Sequence, residues 1–407
     1  MPLQTAAKAA QGDMMVNTPE ELASWLRLAL TPGVGPETAR RLLATWGQPG
    51  AIFEQTDTAL QQVVSVLQAH ALREAPQGWR ELTDETWRWL QTSPEPGIAR
   101  ALITLGDPDY PAALLEIPDP PLMLYALGQI GALHGLEIGH CVAMVGSRNP
   151  TPQGQINARE FARSLAASGL TIVSGLALGV DGAAHEGALL GALPEVKNGM
   201  PPTIAVVGTG LDRVYPRQHR DLAHQIAKRG VILSEYPLGT PPLAPNFPRR
   251  NRLISGLSQG TLVVEAALQS GSLITAKQAL EQGRDVMAIP GSIHSAQSKG
   301  CHLLIKQGAK LVESSQDVLE ELNLPVEQAQ GTLALQPSSA NDDPHHGDNK
   351  SEDALLRAMG HDPVSLDALQ ARCGWPTANL QAQLLELELM GQVGRLPGGL
   401  FQRVGSA

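Results

Sequence analysis

The stretch Cys141-Val142-Ala143-Met144-Val145-Gly146-Ser147-Arg148 places five apolar residues directly before a glycine turn. A short apolar run that ends at a turn is typical of a strand buried on both faces of a sheet. Segments with helical periodicity separate this run from later runs of the same kind, which predicts a doubly wound, parallel α/β sheet. The further predicted strands are 170–173, 203–207, 231–233, 261–264 and 286–289, with two earlier candidates at 102–104 and 122–126. The predicted helices between them are 153–168, 179–192, 217–229, 250–257 and 273–282.

The segment before the sheet has a different composition. Five of the six tryptophans precede residue 90, and the break at 93–97 is rich in proline. The sequence therefore predicts an all-α domain at 1–97, followed by the sheet domain at 98–323. Within the first domain, Gly33-Val34-Gly35 lies between two predicted helices and resembles a SAM or helix-hairpin-helix turn. Such a turn can present N–H groups to a phosphate, or it can be a tight turn in a protein-interaction domain.

The C-terminal part predicts a flexible linker and a third domain. Residues 324–350 are polar and rich in Gln, Asn, Asp and Ser, which favours a flexible linker. Three predicted helices at 351–359, 365–373 and 377–390, followed by a hairpin at 392–404, indicate a winged helix over 351–407. The third helix contains no Lys or Arg and carries Glu386 and Glu388. A DNA-reading helix is normally basic, so we expect this domain to contact protein instead.

The charge is segregated along the chain. The formal net charge is −10, yet residues 213–252 carry eight Lys/Arg and two Asp/Glu (8 − 2 = +6), whereas 316–353 carry one and nine (1 − 9 = −8). The acidic total argues against a protein coated with nucleic acid on every face, and it allows one local basic groove. The three cysteines are far apart, which indicates neither disulfides nor a zinc knuckle. With no run of 18 apolar residues, we expect a cytoplasmic protein without a membrane segment.

Glycine-rich and polar turns follow several of the predicted strands. Ligands of doubly wound sheets bind beyond the carboxyl ends of the strands, where glycine permits close approach and helix N-termini attract anions. Each turn alone can also reflect tight packing, but together they favour a phosphate-bearing ligand. The turns are Gly146-Ser147-Arg148, Ser174-Gly175-Leu176-Ala177, 208–212, Ser270-Gly271-Ser272 and 290–292.

A basic block follows the fourth core strand. Residues 246–257 contain Phe247 and three arginines, Arg249, Arg250 and Arg252. Arginine suits phosphate oxygens and an aromatic ring can stack on a base, although a solvated basic helix start is an open alternative. Tyr215 and Tyr236 are further stacking candidates. We expect Arg148→Ala or Arg250→Ala to weaken oligonucleotide binding and to reduce its salt dependence.

Other ligand signatures are absent. The first turn lacks G-x-G-x-x-G, and no Gly-Lys pair exists for an ATPase P-loop. The formal G-x-S-x-G match at 256–260 runs from helix to strand, opposite to a nucleophile elbow. Asp181 and His185 are spaced i,i+4, and capping and packing are favoured over a metal site because no third ligand is apparent. We therefore expect no metal and no cofactor.

Ordered blocks across 105–323 resemble the DprA/Smf family of DNA-processing proteins of natural transformation. The blocks include 145–148, 174–181, 203–212, 233–237, 247–257, 270–276 and 289–291. The resemblance implies an extended Rossmann-like fold that binds single-stranded DNA, forms a homodimer, delivers the strand to the RecA recombinase and has no catalytic activity. Departures at Pro152-Gln153-Gly154 and His302 concern individual contacts. The resemblance places these residues at the strand: Gly146, Ser147, Arg148, Ser174, Gly175, Phe247, Arg250, Asn251, Arg252, Ser270, Gly271 and Ser272. Among the arginines of the basic block, it favours Arg250 and Arg252 over Arg249.

Two other function classes stay open. The same Rossmann variant resembles nucleotide phosphoribohydrolases, and the partial match at 257–265 singles out Glu265 as a catalytic acid. Loss of base release in Glu265→Gln would favour that enzyme. A protein-interaction scaffold is the other alternative, and it leaves the block of Phe247 and arginines unexplained.

Overall fold

A computed structural model describes residues 16–92, 95–136, 138–192, 200–324, 355–360, 363–396 and 398–404. Most of the predicted linker at 324–350, and the start of the helix predicted at 351–359, lie outside these residues. Within them the chain has a helical N-terminal part, a large mixed sheet and a small C-terminal helical unit with its own sheet. The predicted fold class is confirmed.

The N-terminal part consists, over the described residues 16–92, of six short helices, three of which begin at a side-chain cap. They are α1 (Pro19–Leu30), α2 (Pro36–Trp46), α3 (Pro49–Phe53), α4 (Asp57–Leu60), α5 (Val66–Arg73) and α6 (Trp79–Gln91). Thr18 and Glu21 form a capping box at α1, which satisfies two of the N–H groups that a helix start leaves open. The apolar faces of these helices share one core with Tyr125 and Met123 of the neighbouring sheet. The helical part therefore packs directly on the sheet edge.

The main sheet has nine strands within the described residues, in the order β1-β2-β6-β5-β4-β3-β7-β8-β9. The strands β3 to β9 run parallel, and β1 and β2 add an antiparallel edge. The predicted core strands and both earlier candidates are confirmed, and β9 was missed because it has only two residues. The strands are β1 (Ala99–Thr104), β2 (Met123–Gly128), β3 (Cys141–Val145), β4 (Thr171–Ser174), β5 (Thr203–Val206), β6 (Val231–Ser234), β7 (Gly260–Val263), β8 (Asp285–Ala288) and β9 (Lys310–Leu311).

Helices cover both faces of this sheet. Alternate residues of β3 enter different cores: Cys141, Ala143 and Val145 face one, and Val142 and Met144 face the other. This arrangement explains the uninterrupted apolar run of that strand. The helices are α7 (Pro152–Ala167), α8 (Val180–Gly191), α9 (Arg220–Arg229), α10 (Asn246–Gly256), α11 (Gly271–Glu281), α12 (Lys299–Lys306) and α13 (Ser315–Glu321).

One helix begins earlier than the sequence analysis predicted. We predicted a helix at 250–257, whereas α10 begins at Asn246 and ends at Gly256. Pro248 lies in the first turn, where a helix tolerates proline because that N–H has no partner within the helix. The prolines at 245 and 248 therefore lie at the start of the helix, and Phe247 lies on it.

The C-terminal unit forms a winged helix around its own apolar core. Residues 355–359 form helix α14, which precedes β10 (Val364–Ser365), α15 (Leu366–Cys373), α16 (Thr377–Leu389), β11 (Val393–Leu396) and β12 (Leu400–Arg403). The three strands pair in the order β10-β12-β11. The predicted winged helix is confirmed.

Candidate nucleic-acid interface

The sheet changes its winding direction between β3 and β7. Successive strands extend to one side of β3, and β7 then begins the other side. The loops that follow β3 and β7 diverge at this point and leave a crevice, which is the usual ligand position in such sheets. A cavity of about 740 Å³ lies there, lined by the turn after β3, the start of α10 and the start of α11.

The turn after β3 supplies an exposed cation. Ser147 is buried and its Oγ accepts a hydrogen bond from the amide of Asn149, which fixes the turn. Arg148 is exposed, and among the described residues it has no ion-pair partner. Its guanidinium carbon lies 5.5 Å from the centroid of the Phe247 ring, within the range of a cation–π contact.

Phe247 lies in the first turn of α10 and has a second aromatic neighbour. The ring of Tyr215 is 5.7 Å from it, tilted by 38°. The helix start is anchored because Asn246 donates to the carbonyl of Gly208 at 3.0 Å. Arg148 and Tyr215 thus both contact Phe247 in the cavity lining, and Tyr215 is nearly half exposed.

Arg250, one turn after Phe247, lies at the cavity floor. It is only 4% exposed, and its two terminal nitrogens donate to the carbonyls of Val206 and Gly175 at 2.9 and 2.8 Å. Its Nε has no partner within the described residues. Burial lowers the pKa of this guanidinium, and the nearby Asp181 opposes that shift. A Cβ at Gly175 would overlap the guanidinium, so the close approach requires glycine there.

Arg252 points away from the cavity. It pairs with Glu235, and its Nε lies 3.5 Å from Asp119, which also pairs with Arg40 of α2 at 2.9 Å. These pairs connect α10 to the N-terminal helices. Arg249, in contrast, is exposed and has no hydrogen-bond or ion-pair partner within the described residues.

The N-terminus of α11 also lines the cavity. Ser270 caps this helix by accepting from the amide of Ser272 at 3.3 Å, and the two hydroxyl oxygens are 2.6 Å apart. A side chain at Gly271 would meet no atom within 4 Å, so the approach to the helix start is open. The unpaired N–H groups of a first helical turn favour an anion at this position.

Nine of the twelve predicted site residues line this cavity, and three do not. Ser174 is fully buried and donates to the carbonyl of Met144 at 2.6 Å, so it joins two strands. Gly175 lines an adjoining recess of about 60 Å³ beside Phe247 and Arg250, and Arg252 belongs to the ion pairs described above. The nine are Gly146, Ser147, Arg148, Phe247, Arg250, Asn251, Ser270, Gly271 and Ser272.

The cavity has further lining residues beyond the twelve predicted ones: Tyr215 was predicted only as a stacking candidate, and Asn149 and Gln297 were not predicted. Tyr215, Asn149 and Gln297 line the cavity, and Gln297 donates to the carbonyl of Asn149 at 3.3 Å. The two polar residues follow strand ends or begin a helix, which is a weak signal. Tyr215 comes from the segment after β5, and only its position near the basic block pointed to it.

Asp181 and His185 of α8 are held by contacts within the fold, and Asp181 also lines the cavity. Asp181 accepts from the amides of Gly175 and Ala177 at 3.2 and 3.3 Å, and burial raises its pKa. His185 is fully buried, its Nδ1 lies 2.7 Å from Thr203 Oγ1, and burial lowers its pKa to about 3. Within the described residues no group of three potential metal ligands occurs.

Glu265 lies outside the cavity lining. Its two carboxylate oxygens accept from the hydroxyl and the amide of Thr151, the N-cap of α7, at 2.6 and 2.9 Å. Burial raises the pKa of this carboxyl, opposed by these hydrogen bonds. The geometry gives Glu265 a capping role at α7.

No described helix combines the length and the apolar composition that a membrane crossing requires. Profiles of two protein families match the chain: the DNA recombination-mediator protein A family over residues 101–323, and the DprA winged helix domain over 337–399. The chain is 44% identical to the Smf protein of Escherichia coli over 292 residues, which is 71% of this chain and 74% of that protein.

Two solved structures are similar as well. The X-ray structure of DNA processing protein A from Streptococcus pneumoniae aligns with a TM-score of 0.60 and 36% identity, covering 76% of this chain and 99% of that one. The structure of the Helicobacter pylori protein, described for its single-stranded DNA binding mode, aligns at 0.46 with 33% identity, covering 52% and 92%. Because the first family profile matches more than half of the chain, the chain belongs to the DNA recombination-mediator protein A family, the DprA/Smf proteins.

Proposed function

We propose that this chain binds single-stranded DNA in the cavity between β3 and β7, and that it is a binding protein rather than an enzyme. One observation carries the proposal. The exposed Arg148 and the neighbouring rings of Phe247 and Tyr215 line the same cavity as the open N-terminus of α11. One cavity thus offers both a phosphate site and a base-stacking surface.

The phosphate contacts come from Arg148 and from α11. An exposed arginine without an ion-pair partner binds a phosphate without first breaking an ion pair. The amides of the first turn of α11, with the hydroxyls of Ser270 and Ser272, present donors to a second phosphate. Contacts of this kind carry no base preference, so we expect affinity to fall steeply with salt.

The rings favour a single strand over a duplex. Phe247 and Tyr215 line the cavity. A base can stack on these rings only if its own face is not already stacked on a neighbouring base. Bases in a duplex are already stacked on their neighbours, and extruding one costs a few kcal/mol. A single strand offers free base faces, and each stacked base contributes about 1–3 kcal/mol.

Fluorescence anisotropy tests this binding site. A labelled single-stranded oligonucleotide and its duplex of equal length are titrated with the full chain over a salt series. We expect clear single-strand preference and a negative salt slope, and Arg148→Ala should reduce that slope by about one. Arg163, an exposed arginine of α7 distant in sequence from the cavity loops, provides the control variant Arg163→Ala. Equal binding by the parent and Arg148→Ala would contradict the site.

We further propose that the bound strand is delivered to the RecA recombinase, that the working unit is a homodimer, and that the protein acts in the cytoplasm. Family membership supports all three. Delivery is tested by RecA filament formation on single-stranded DNA coated with single-strand binding protein, where the parent should shorten the lag and Arg148→Ala should not. Sedimentation of the full chain tests the dimer. We also propose the boundaries 1–97, 98–323 and 351–407 as folding units, which limited proteolysis would test.

For catalysis by Glu265, the structure provides no supporting contact. The carboxylate accepts two hydrogen bonds from Thr151 and is absent from the cavity lining, which supports a capping role. The proposal that the chain is not an enzyme is tested by incubating it with nucleoside monophosphates and measuring free base by chromatography. Base release that disappears in Glu265→Gln would establish an enzyme instead.

A further inference from the structure

The outer face of helix α16 in the winged helix is apolar and exposed. Leu380, Leu384 and Leu387 enter the core of the domain. On the opposite side, Leu385 is 54% exposed and Leu389 is 83% exposed. Ala378 and Ala382 are exposed on the same side. A soluble domain rarely leaves such a continuous row open unless another surface covers it.

The row has the spacing of a coiled-coil seam. Positions 378, 382, 385 and 389 are separated by four, three and four residues, which is the alternation of a heptad repeat. A single helix with this seam is complete only when a second helix packs against it. We propose that α16 pairs in antiparallel orientation with α16 of a second copy of this chain.

Side-chain size favours the antiparallel copy. In that orientation Ala378 faces Leu389 of the partner subunit, and Ala382 faces Leu385 of the partner subunit. Every layer then contains one small and one large residue, so the two helices keep a constant separation along the seam. A parallel pair would put alanine on alanine at one end and leucine on leucine at the other, which forces the helices apart.

Charge favours the same orientation. Both acidic residues of α16, Glu386 and Glu388, lie in its last four residues, and the first nine residues carry no charge. Antiparallel pairing puts this acidic end beside the partner's helix N-terminus, where the helix dipole is positive. Like charges do not meet across the seam. The helix has no cation for a DNA backbone, so a nucleic acid does not fit this face.

The contact is small, which defines how it acts. A helix of 13 residues is about 20 Å long, and one face of it buries less than the roughly 1,200 Å² of a stable interface. The pairing is therefore weak by itself and becomes significant when copies are held close together, for example on one DNA strand. It does not depend on where DNA binds in the sheet domain.

Sedimentation velocity of the full chain tests the pairing over about a hundred-fold range of concentration. We expect self-association that increases with concentration beyond any baseline dimer, and at least a ten-fold weaker association in Leu389→Glu. Leu67 of α5 is also 83% exposed, so Leu67→Glu is the matched control and should associate like the parent. Absence in the parent of any concentration-dependent association beyond the baseline dimer, or an equal loss in both variants, would overturn the proposal. If a linker segment or another protein covers α16 instead, the parent will show no association of this kind.

Orientation is tested by disulfide trapping. Ala378→Cys and Leu389→Cys are prepared separately in a Cys373→Ser background, mixed, and oxidised. We expect a disulfide between the two different variants, because these positions face each other only in the antiparallel pair. Disulfides formed only between identical Ala378→Cys chains would indicate parallel pairing and contradict the proposal, as would the absence of any trapped pair.

Discussion

The Nη2 atom of Arg250 lies 2.8 Å from the carbonyl oxygen of Gly175, and its Nη1 atom lies 2.9 Å from that of Val206. This side chain therefore connects α10 to the carboxyl ends of β4 and β5. The guanidinium also offsets the buried carboxylate of Asp181. Arg250, which the sequence suggested as a phosphate ligand, thus stabilises the cavity floor. Any effect of this residue on DNA binding acts through the cavity structure that it holds in place.

The first prediction separates this supporting role from direct binding. Arg250→Ala removes two hydrogen bonds and leaves the buried Asp181 with only the exposed Arg148 as a nearby cation, so we expect it to lower the free energy of unfolding by about 3 kcal/mol. Arg250→Lys should recover little, because one ammonium does not reproduce the two-pronged contact. Thermal unfolding monitored by circular dichroism measures this effect. Arg148→Ala is the control: it should leave the melting temperature nearly unchanged and still weaken DNA binding.

The second prediction concerns Phe247. Truncation to alanine removes the stacking surface, and we expect a loss of about 1–3 kcal/mol in binding that is similar for all four homopolymers. Phe247→Trp keeps a ring and should retain most of the affinity, whereas Phe247→Leu keeps bulk without a π face and should not. Anisotropy at fixed salt measures the series. An unchanged affinity in Phe247→Ala would show that bases stack elsewhere.

The third prediction assigns Arg252 to the ion pairs. Arg252→Ala should leave the salt slope of DNA binding unchanged, because this side chain does not line the cavity. It should lower stability by about 1–3 kcal/mol, since Glu235 stays mostly buried without its partner. Glu235→Gln in the same chain should restore part of that loss, and a double-mutant cycle measures the coupling. A reduced salt slope in Arg252→Ala would return this arginine to the DNA site.

Much of the fold was predictable from the sequence, because buried parallel strands are apolar without interruption and turns interrupt them visibly. The site was predictable as a set of turns, since all parallel strands end at one edge of the sheet. The orientation of single arginines was not. The predicted helix start at residue 250 placed Phe247 outside the helix. The observed start at Asn246 puts Phe247, Arg250, Asn251 and Ile254 on one face at helical spacing.

Burial was the other missing quantity. Arg250 is engaged by backbone carbonyls up to 75 residues away in sequence, and Arg252 by the carboxylates of Glu235, 17 residues away, and of the still more distant Asp119. No local pattern reveals such partners. The exposed Arg148 and Arg249 differ from them because the fold brings no such carbonyl or carboxylate of the described residues into contact with their side chains. The sequence around each arginine does not reveal this difference.

The fourth prediction concerns Glu265. Glu265→Gln keeps one carbonyl oxygen for the N-cap residue Thr151 but loses the charge that favours the start of α7. We expect a loss of about 1 kcal/mol in stability and unchanged affinity for single-stranded DNA. Parallel denaturation and anisotropy measurements on the same preparation check both results. A loss of binding without a loss of stability would mean that Glu265 contributes to the site directly.

The fifth prediction is a dependence of stability on pH that comes from His185. Burial lowers the pKa of this imidazole to about 3, against an ordinary value of 6.5, so the folded state resists its protonation. The unfolded chain binds a proton below about pH 6.5 and the folded chain does not until about pH 3. This group therefore contributes full stability above pH 6.5 and loses it as the pH falls, by at most about 1.4 kcal/mol per pH unit.

Other buried groups act in the opposite direction, so the measurement must be a difference. Asp181, Glu235 and Glu265 have raised pKa values, and their contributions to stability increase as the pH falls. Comparison of the parent with His185→Gln from pH 7.5 to 4.5 by denaturant unfolding cancels their shared effect. We expect the difference in stability between the two proteins to change in favour of the variant as the pH falls. A constant difference over that range would show that His185 takes up its proton in the folded protein, and that the contact with Thr203 does not keep the imidazole neutral.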